Sequence, residues 1–304
     1  MVRNTDFSLV LDTNVTLLET PIWDHRVKRL YCTDLFTGDV YAFDAAAWES
    51  TVYHTGGGMI GSAIPCCDEN KLLCALDRGI CLYDTVTGEL SCIADPNGQN
   101  AEYRYNDTRV DSRGRIFTST VSKKYGTPDY TPELLGNFYM VDTNGSVKTI
   151  VEGINQYNAI VWNADDTEMF VVDTYNNSLL SFDYDIARGP VGGPKQRLDL
   201  SGIGMPDGMS IDTEDTLYIC HWAGKISVWD KTLSLLRMID FPVPQVCCGG
   251  FGGDTMQDFY VTTARYAYTP AQMAARQGAG GLFRMRMEAR GMGDHFFSII
   301  EGAK

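Results

Sequence analysis

Glu19, Ser62, Asn106, Asn158, Asp207 and Gly249 stand at one phase of a repeating pattern. Each lies five residues, six in the second case, ahead of an Asp or Asn placed to open a turn: Asp24, Asp68, Asp111, Asn163, Asp212 and Asp254. Two acids and two amides in this set offer oxygen donors and no sulfur. That is the donor chemistry of a hard divalent cation such as Ca²⁺, Mg²⁺ or Mn²⁺, and Zn²⁺ also tolerates carboxylates. Three protein ligands would leave coordination positions for water and substrate. The competing reading is that these polar residues only cap strands. A cap needs one hydrogen-bonding group per repeat, whereas acids gathered at one place repel each other without a cation.

The elements that must bring them together are short strands. Apolar runs rich in Val, Ile, Tyr, Phe and Leu alternate with Asp, Asn and Gly, which reads as strand and turn with little helix. One strand type recurs at Leu30, Leu73, Ile116, Met169, Leu217 and Phe259, in steps of 43, 43, 53, 48 and 42 residues. A short Asx side chain bonds the backbone across a tight turn, so six of them in phase mark six hairpins. Six units of about four strands predict an all-β fold, a six-bladed β-propeller, with residues 1–304 as a single domain. Each phase residue then starts an innermost strand at the same end of the central channel. Glu19 and Asn158 would oppose each other across the ring with Asp207 beside Asn158, which places a metal site at one mouth.

Composition narrows the partners. Lys plus Arg, 25, against Asp plus Glu, 39, gives a net charge of −14, which leaves nucleic-acid binding without electrostatic support. No apolar run is long enough to span a bilayer and the first residues lack a secretory pattern, so the expectation is a soluble cytoplasmic protein with no membrane partner. Nine cysteines without CxxC or zinc-ligand spacing read as reduced, buried small hydrophobes. No Gly-x-Ser-x-Gly elbow is present, which argues against a serine hydrolase, and Gly249–Gly253 lacks the strand-then-helix setting of a dinucleotide loop.

The ordered set Glu19-Thr-Pro-Ile-Trp23, Arg104-Tyr-Asn-Asp107, Asn158, Pro206-Asp-Gly-Met209, Phe251-Gly-Gly253 and Gly280-Gly-Leu-Phe283 resembles the senescence-marker-protein (regucalcin), gluconolactonase and luciferin-regenerating-enzyme family. The resemblance implies a six-bladed propeller with one divalent metal at the channel mouth. It implies Glu19, Asn158 and Asp207 as metal ligands, Asp207 as general base, and Arg104 and Asn106 as substrate contacts. The activity implied is a metal-dependent lactonase, a carboxylic ester hydrolase acting on a small sugar lactone. Its alternatives are an enzyme acting on a non-sugar ester or lactone and a non-enzymatic calcium-binding regulator. The chain departs from the family pattern at Ala159, where Asn-Gly is common, and at Lys124, near which some members carry an acidic substrate contact. His221-Trp222 resembles a pair in some bacterial members and joins Lys124 among the substrate-binding candidates.

Two further expectations concern loops and closure. The longest step places an insertion, Ser122–Leu135, between the second and third strands of the third blade, on the side of the site. Its Lys123, Lys124, Tyr125 and Tyr130 favour an anionic or polyhydroxylated substrate. Phe7–Val10 is the favoured outermost strand of the last blade, with Phe296–Ile300 as its competitor.

Overall fold

The computed structural model describes residues 7–298. Strand β1 (Ser8–Leu11) comes first, and four-stranded units follow. The first blade is β2 (Leu18–Asp24), β3 (Arg29–Asp34), β4 (Asp39–Asp44) and β5 (Glu49–His54). The second is β6 (Ile60–Pro65), β7 (Lys71–Leu76), β8 (Gly79–Asp84) and β9 (Leu90–Ala94). The third is β10 (Tyr103–Val110), β11 (Ile116–Ser122), β12 (Gly136–Val141) and β13 (Val147–Ile154). The fourth is β14 (Tyr157–Trp162), β15 (Glu168–Asp173), β16 (Ser178–Asp185) and β17 (Gly189–Asp199). The fifth is β18 (Pro206–Ile211), β19 (Leu217–His221), β20 (Lys225–Trp229) and β21 (Leu235–Asp240). The sixth takes β22 (Val246–Gly252), β23 (Asp258–Thr263) and β24 (Leu282–Arg286), with β1 as its outer strand. Among the described residues no helix is long and apolar enough to cross a membrane.

Each innermost strand packs against the innermost strands of both neighbouring blades, so β2, β6, β10, β14, β18 and β22 close a ring around the channel. The hairpins form as the Asx rule demands. Oδ1 of Asp24, Asp68, Asp111, Asn163 and Asp212 each accepts a backbone N–H two to four residues on, at 2.9–3.0 Å. Asp254 does not take that role; it pairs with Lys28 at 2.8 Å. The blades are cemented by aromatic and aliphatic clusters, such as Phe117, Phe138, Trp162 and Phe182 between the third and fourth.

Every innermost strand carries a register break near its start. Leu18, Ile60, Tyr105, Tyr157, Pro206 and Val246 pair with the corresponding point of the second strand, so the next residue in each is equivalent: Glu19, Gly61, Asn106, Asn158, Asp207 and Cys247. Counting from the turns therefore succeeded in four blades and slipped in two. Cys66 and Gly252 fill the turn-opening register slots there, while Asp68 and Asp254 lie two residues further on. Ser62 and Gly249 are corrected to Gly61 and Cys247. Gly61 has no side chain because a Cβ would meet the Asn106 carbonyl oxygen at 2.1 Å, where two innermost strands converge.

Closure follows the favoured expectation. β1 pairs antiparallel with β24, Ser8 opposite Arg284 and Leu9 opposite Phe283. Phe7 sets its ring 4.4 Å from that of Phe241 in the neighbouring blade. Phe297 instead bridges to the second blade, its N–H donating to Pro65 O at 3.0 Å. Residues 299 and 300 of the competing segment lie outside the described residues. Phe7→Ala is expected to cost about 3 kcal/mol, the usual penalty for emptying a buried phenylalanine site, read as a lower denaturant midpoint. A change below about 1 kcal/mol would show that Phe7 does not help hold the ring shut.

The cysteine expectation is corrected in part. Cys81 and Cys92 face each other across β8 and β9 and are joined as a disulfide, because the register sets the two side chains on the same face. Cys67 is exposed, and the other six are buried thiols.

Candidate active site at one mouth of the channel

The starts of the innermost strands surround a cavity of about 350 Å³, lined by Glu19, Arg104, Asn106, Asn158 and Asp207 together with Trp222, Tyr125 and Lys123. The register break after each phase residue reorients the backbone. Two of the residues that follow, Thr20 (φ 52°) and Ala159 (φ 45°), take the left-handed conformation. Ala159 thus occupies a conformation that favours glycine, at a cost of about 1 kcal/mol, and it keeps Asn158 in place.

A chain of hydrogen bonds ties two phase residues, Asn106 and Asn158, to Arg104 and Thr174. Arg104 Nη1 donates to Asn106 Oδ1 at 2.7 Å and to the Tyr105 carbonyl at 3.2 Å. Asn106 Nδ2 donates to the Tyr157 carbonyl at 2.9 Å and to Asn158 Oδ1, and Asn158 Nδ2 donates to Thr174 Oγ1 at 2.7 Å. Asp207 is held by Trp222, whose Nε1–H donates to Oδ2 at 2.7 Å.

The acids are the unusual feature. Donor atoms of Glu19, Asp207 and Cys247 all lie within 4.8 Å of one another. Among the described residues neither carboxylate has a Lys or Arg nitrogen within 4.0 Å. Burial pushes Glu19 well above the carboxylate range, and the charges of Asp207 and Asp107 push it further. Burial and Asp107 raise Asp207 to about 8, against the pull of the Trp222 hydrogen bond and of Arg104. Buried carboxylates crowded together without a salt-bridged cation fit a divalent cation, which offsets the repulsion and the desolvation cost.

Two members of this cluster escaped the sequence reading. Cys247 is the register equivalent of Glu19 and is fully buried. Asp107 sits just behind the mouth, its Oδ2 accepting from Ala159 N at 2.7 Å and its Oδ1 from Thr20 Oγ1 at 3.3 Å, so it anchors the backbone after both Glu19 and Asn158. Its place beside Asn106 in sequence was the available signal.

Two sequence candidates lie elsewhere. His221 is fully buried, with Nδ1 3.1 Å from Gly204 O and Nε2 2.8 Å from Ser227 Oγ, and burial pushes it down to about 4. It braces its own blade and does not line the cavity. Lys124 points to Glu102 at 3.9 Å, also outside. The insertion does reach the site, through Lys123, Tyr125, Gly126 and Thr127. Lys123, however, is paired with Asp77 of the second blade at 2.9 Å. The expected display of free positive charge toward the substrate is therefore corrected.

Six blades close around a channel, with acids and amides gathered at one mouth. The chain belongs to the family described as SMP-30/Gluconolactonase/LRE-like region, whose family model matches residues 17–265. It is 27% identical over 290 residues to pentonolactonase XacC of Haloferax volcanii, covering 93% of this chain and 94% of that protein. It is 30% identical over 292 residues to regucalcin of Oryctolagus cuniculus, covering 91% and 92%. The crystal structure of a calcium-binding protein, regucalcin, from Agrobacterium tumefaciens superposes with a TM-score of 0.87 at 26% identity, covering 95% of this chain and 96% of that one.

Proposed function

We propose that this protein is a divalent-cation-dependent lactonase that hydrolyses the cyclic ester of a small lactone, with sugar lactones as the first candidates from the relatives' names. The observation that carries the reading is the pair of buried carboxylates, Glu19 and Asp207, close together and without a salt-bridged cation in a cavity that admits a small lactone. Glu19, Asn158 and Asp207 would hold one Ca²⁺, Zn²⁺, Mg²⁺ or Mn²⁺, with the Cys247 thiol close by. When bound, the cation supplies polarisation of the ester carbonyl and a counter-charge for the oxyanion.

The remaining chemistry belongs to the chain's own groups. Asp207 accepts the proton of the attacking water, and the Trp222 bond fixes the rotation of its carboxylate so that this proton has one destination. Arg104, oriented by Asn106, donates to the substrate's oxygen atoms. Asn106 uses both ends of its amide on Arg104, Asn158 and the Tyr157 carbonyl, so it aligns the two sides of the site. Trp222 and Tyr125 form part of the walls.

A pH-indicator assay on a lactone panel, with each cation in turn, tests the reading. Turnover abolished by EDTA and restored by a divalent cation is the expected result. Tight Ca²⁺ binding without turnover of any lactone would make the protein a calcium-binding regulator instead.

A further inference from the structure

The lactonase reading takes sugar lactones first from the relatives' names, and the walls of the cavity bear on that choice. Leu17, Leu35, Phe36, Met59, Trp222 and Tyr266 line one side of the mouth, drawn from the fifth, sixth, first and second blades. The Tyr266 ring lies 5.8 Å from Phe36 and nearly parallel to it, and 6.5 Å from Trp222. This makes a continuous apolar and aromatic surface facing the insertion of the third blade. Phe36 stays 41% exposed at its rim.

Several polar groups of the same cavity are spent on the protein itself. Lys123 is paired with Asp77 at 2.9 Å, and Trp222 Nε1 is spent on Asp207. Thr127 Oγ1 donates to the Lys124 carbonyl at 2.6 Å, and Ser122 Oγ accepts from Lys124 N at 3.2 Å. Among the described residues Gln156 Oε1 has no partner and is left for a hydroxyl, and Arg104 bonds the protein only through Nη1, so its other N–H groups are left for the oxygens of the lactone ring itself. A hydroxyl pressed on Leu17, Leu35, Phe36 or Met59 would lose water without gaining a partner from those side chains, a penalty by which hydrogen-bonding mismatches discriminate strongly. An alkyl or aryl group would gain from the same burial.

We infer that the preferred substrate is a lactone carrying an apolar substituent, the reactive ring carbonyl set toward Glu19 and Asp207 and the alkyl or aryl group against Phe36, Met59 and Tyr266. The inference rests on the lactonase reading and narrows its substrate class.

The test compares lactones of one ring size on the full chain with its preferred cation: D-glucono-1,5-lactone, unsubstituted δ-valerolactone, an alkyl δ-lactone and the aryl-fused dihydrocoumarin. Each methylene buried on the wall is worth about fourfold in kcat/KM. The alkyl and aryl lactones are therefore expected to exceed both δ-valerolactone and gluconolactone by at least about tenfold. Phe36→Ser, at an exposed turn position, is expected to lower the alkyl-to-unsubstituted ratio of kcat/KM by about fivefold. Equal kcat/KM across the panel, or preference for gluconolactone, overturns the substrate inference and leaves the lactonase reading standing. Failure to open any lactone with any cation overturns both.

Discussion

Asp207→Asn is expected to lower kcat by roughly 10²–10⁴ at saturating cation, the usual contribution of a general base, while cation affinity falls far less. The amide keeps an oxygen that can ligate but cannot take a proton. Asp207→Ala removes both functions, so turnover and cation binding should be lost together. Glu19→Ala gives the contrast, since Glu19 is assigned ligation alone and its loss should appear chiefly as a higher cation requirement. Steady-state kinetics against cation concentration, with binding measured by calorimetry, separates the three variants. Near-wild-type kcat in Asp207→Asn would remove Asp207 as the base. A further consequence concerns the cation-free protein. Because Asp207 is buried beside Asp107 and Glu19, the neutral amide should raise its thermal midpoint above that of the parent at about pH 8.

Removing the cation should make stability strongly pH-dependent. In the cation-free folded state Asp207 keeps its proton up to about 8, whereas its ordinary value, which the unfolded chain approaches, is 3.8. Between those values the folded state binds more protons than the unfolded one, so stability falls as pH rises. The slope is up to about 1.4 kcal/mol per pH unit for one such group. Glu19 is shifted the same way and adds to the effect. In EDTA the thermal midpoint is therefore expected to drop from about pH 5 to about pH 8, and saturating Ca²⁺ should restore it and flatten the dependence. The same protons compete with the cation, so affinity should strengthen by up to about tenfold per pH unit for each proton displaced. Calorimetry in two buffers of different ionisation enthalpy counts those protons directly. Calcium affinity that does not change over this range would show that binding displaces no carboxyl proton, so Glu19 and Asp207 would already be ionised in the cation-free protein.

The propeller was legible before any coordinates because its signals are local and periodic. An Asp such as Asp111 or Asp212 bonds backbone N–H groups of its own hairpin, so the turn declares itself within a few residues. Five such turns and a sixth Asp, Asp254, in the same spacing leave few alternatives to six blades. The positions of Glu19, Asn106, Asn158 and Asp207 followed from the same phase, as did the placement of the Ser122–Leu135 insertion beside the mouth.

Side-chain direction and partnership were decided by the tertiary structure. In the second and sixth blades a register offset of one and two residues replaced Ser62 by Gly61 and Gly249 by Cys247. A one-residue shift along a strand sends a side chain to the opposite face, and hairpin counting does not see it. Lys123 looks free in the sequence and is neutralised by Asp77 across a blade boundary, while Lys124, its neighbour, turns outward to Glu102. His221 reads as a substrate contact at a strand end and is consumed by Gly204 and Ser227. Composition and spacing determined which groups come to the mouth, since a repeating backbone carries them there. Which of those groups keep unspent charge depends on neighbours far away in the chain, and only the packed ring of blades brings those neighbours into range.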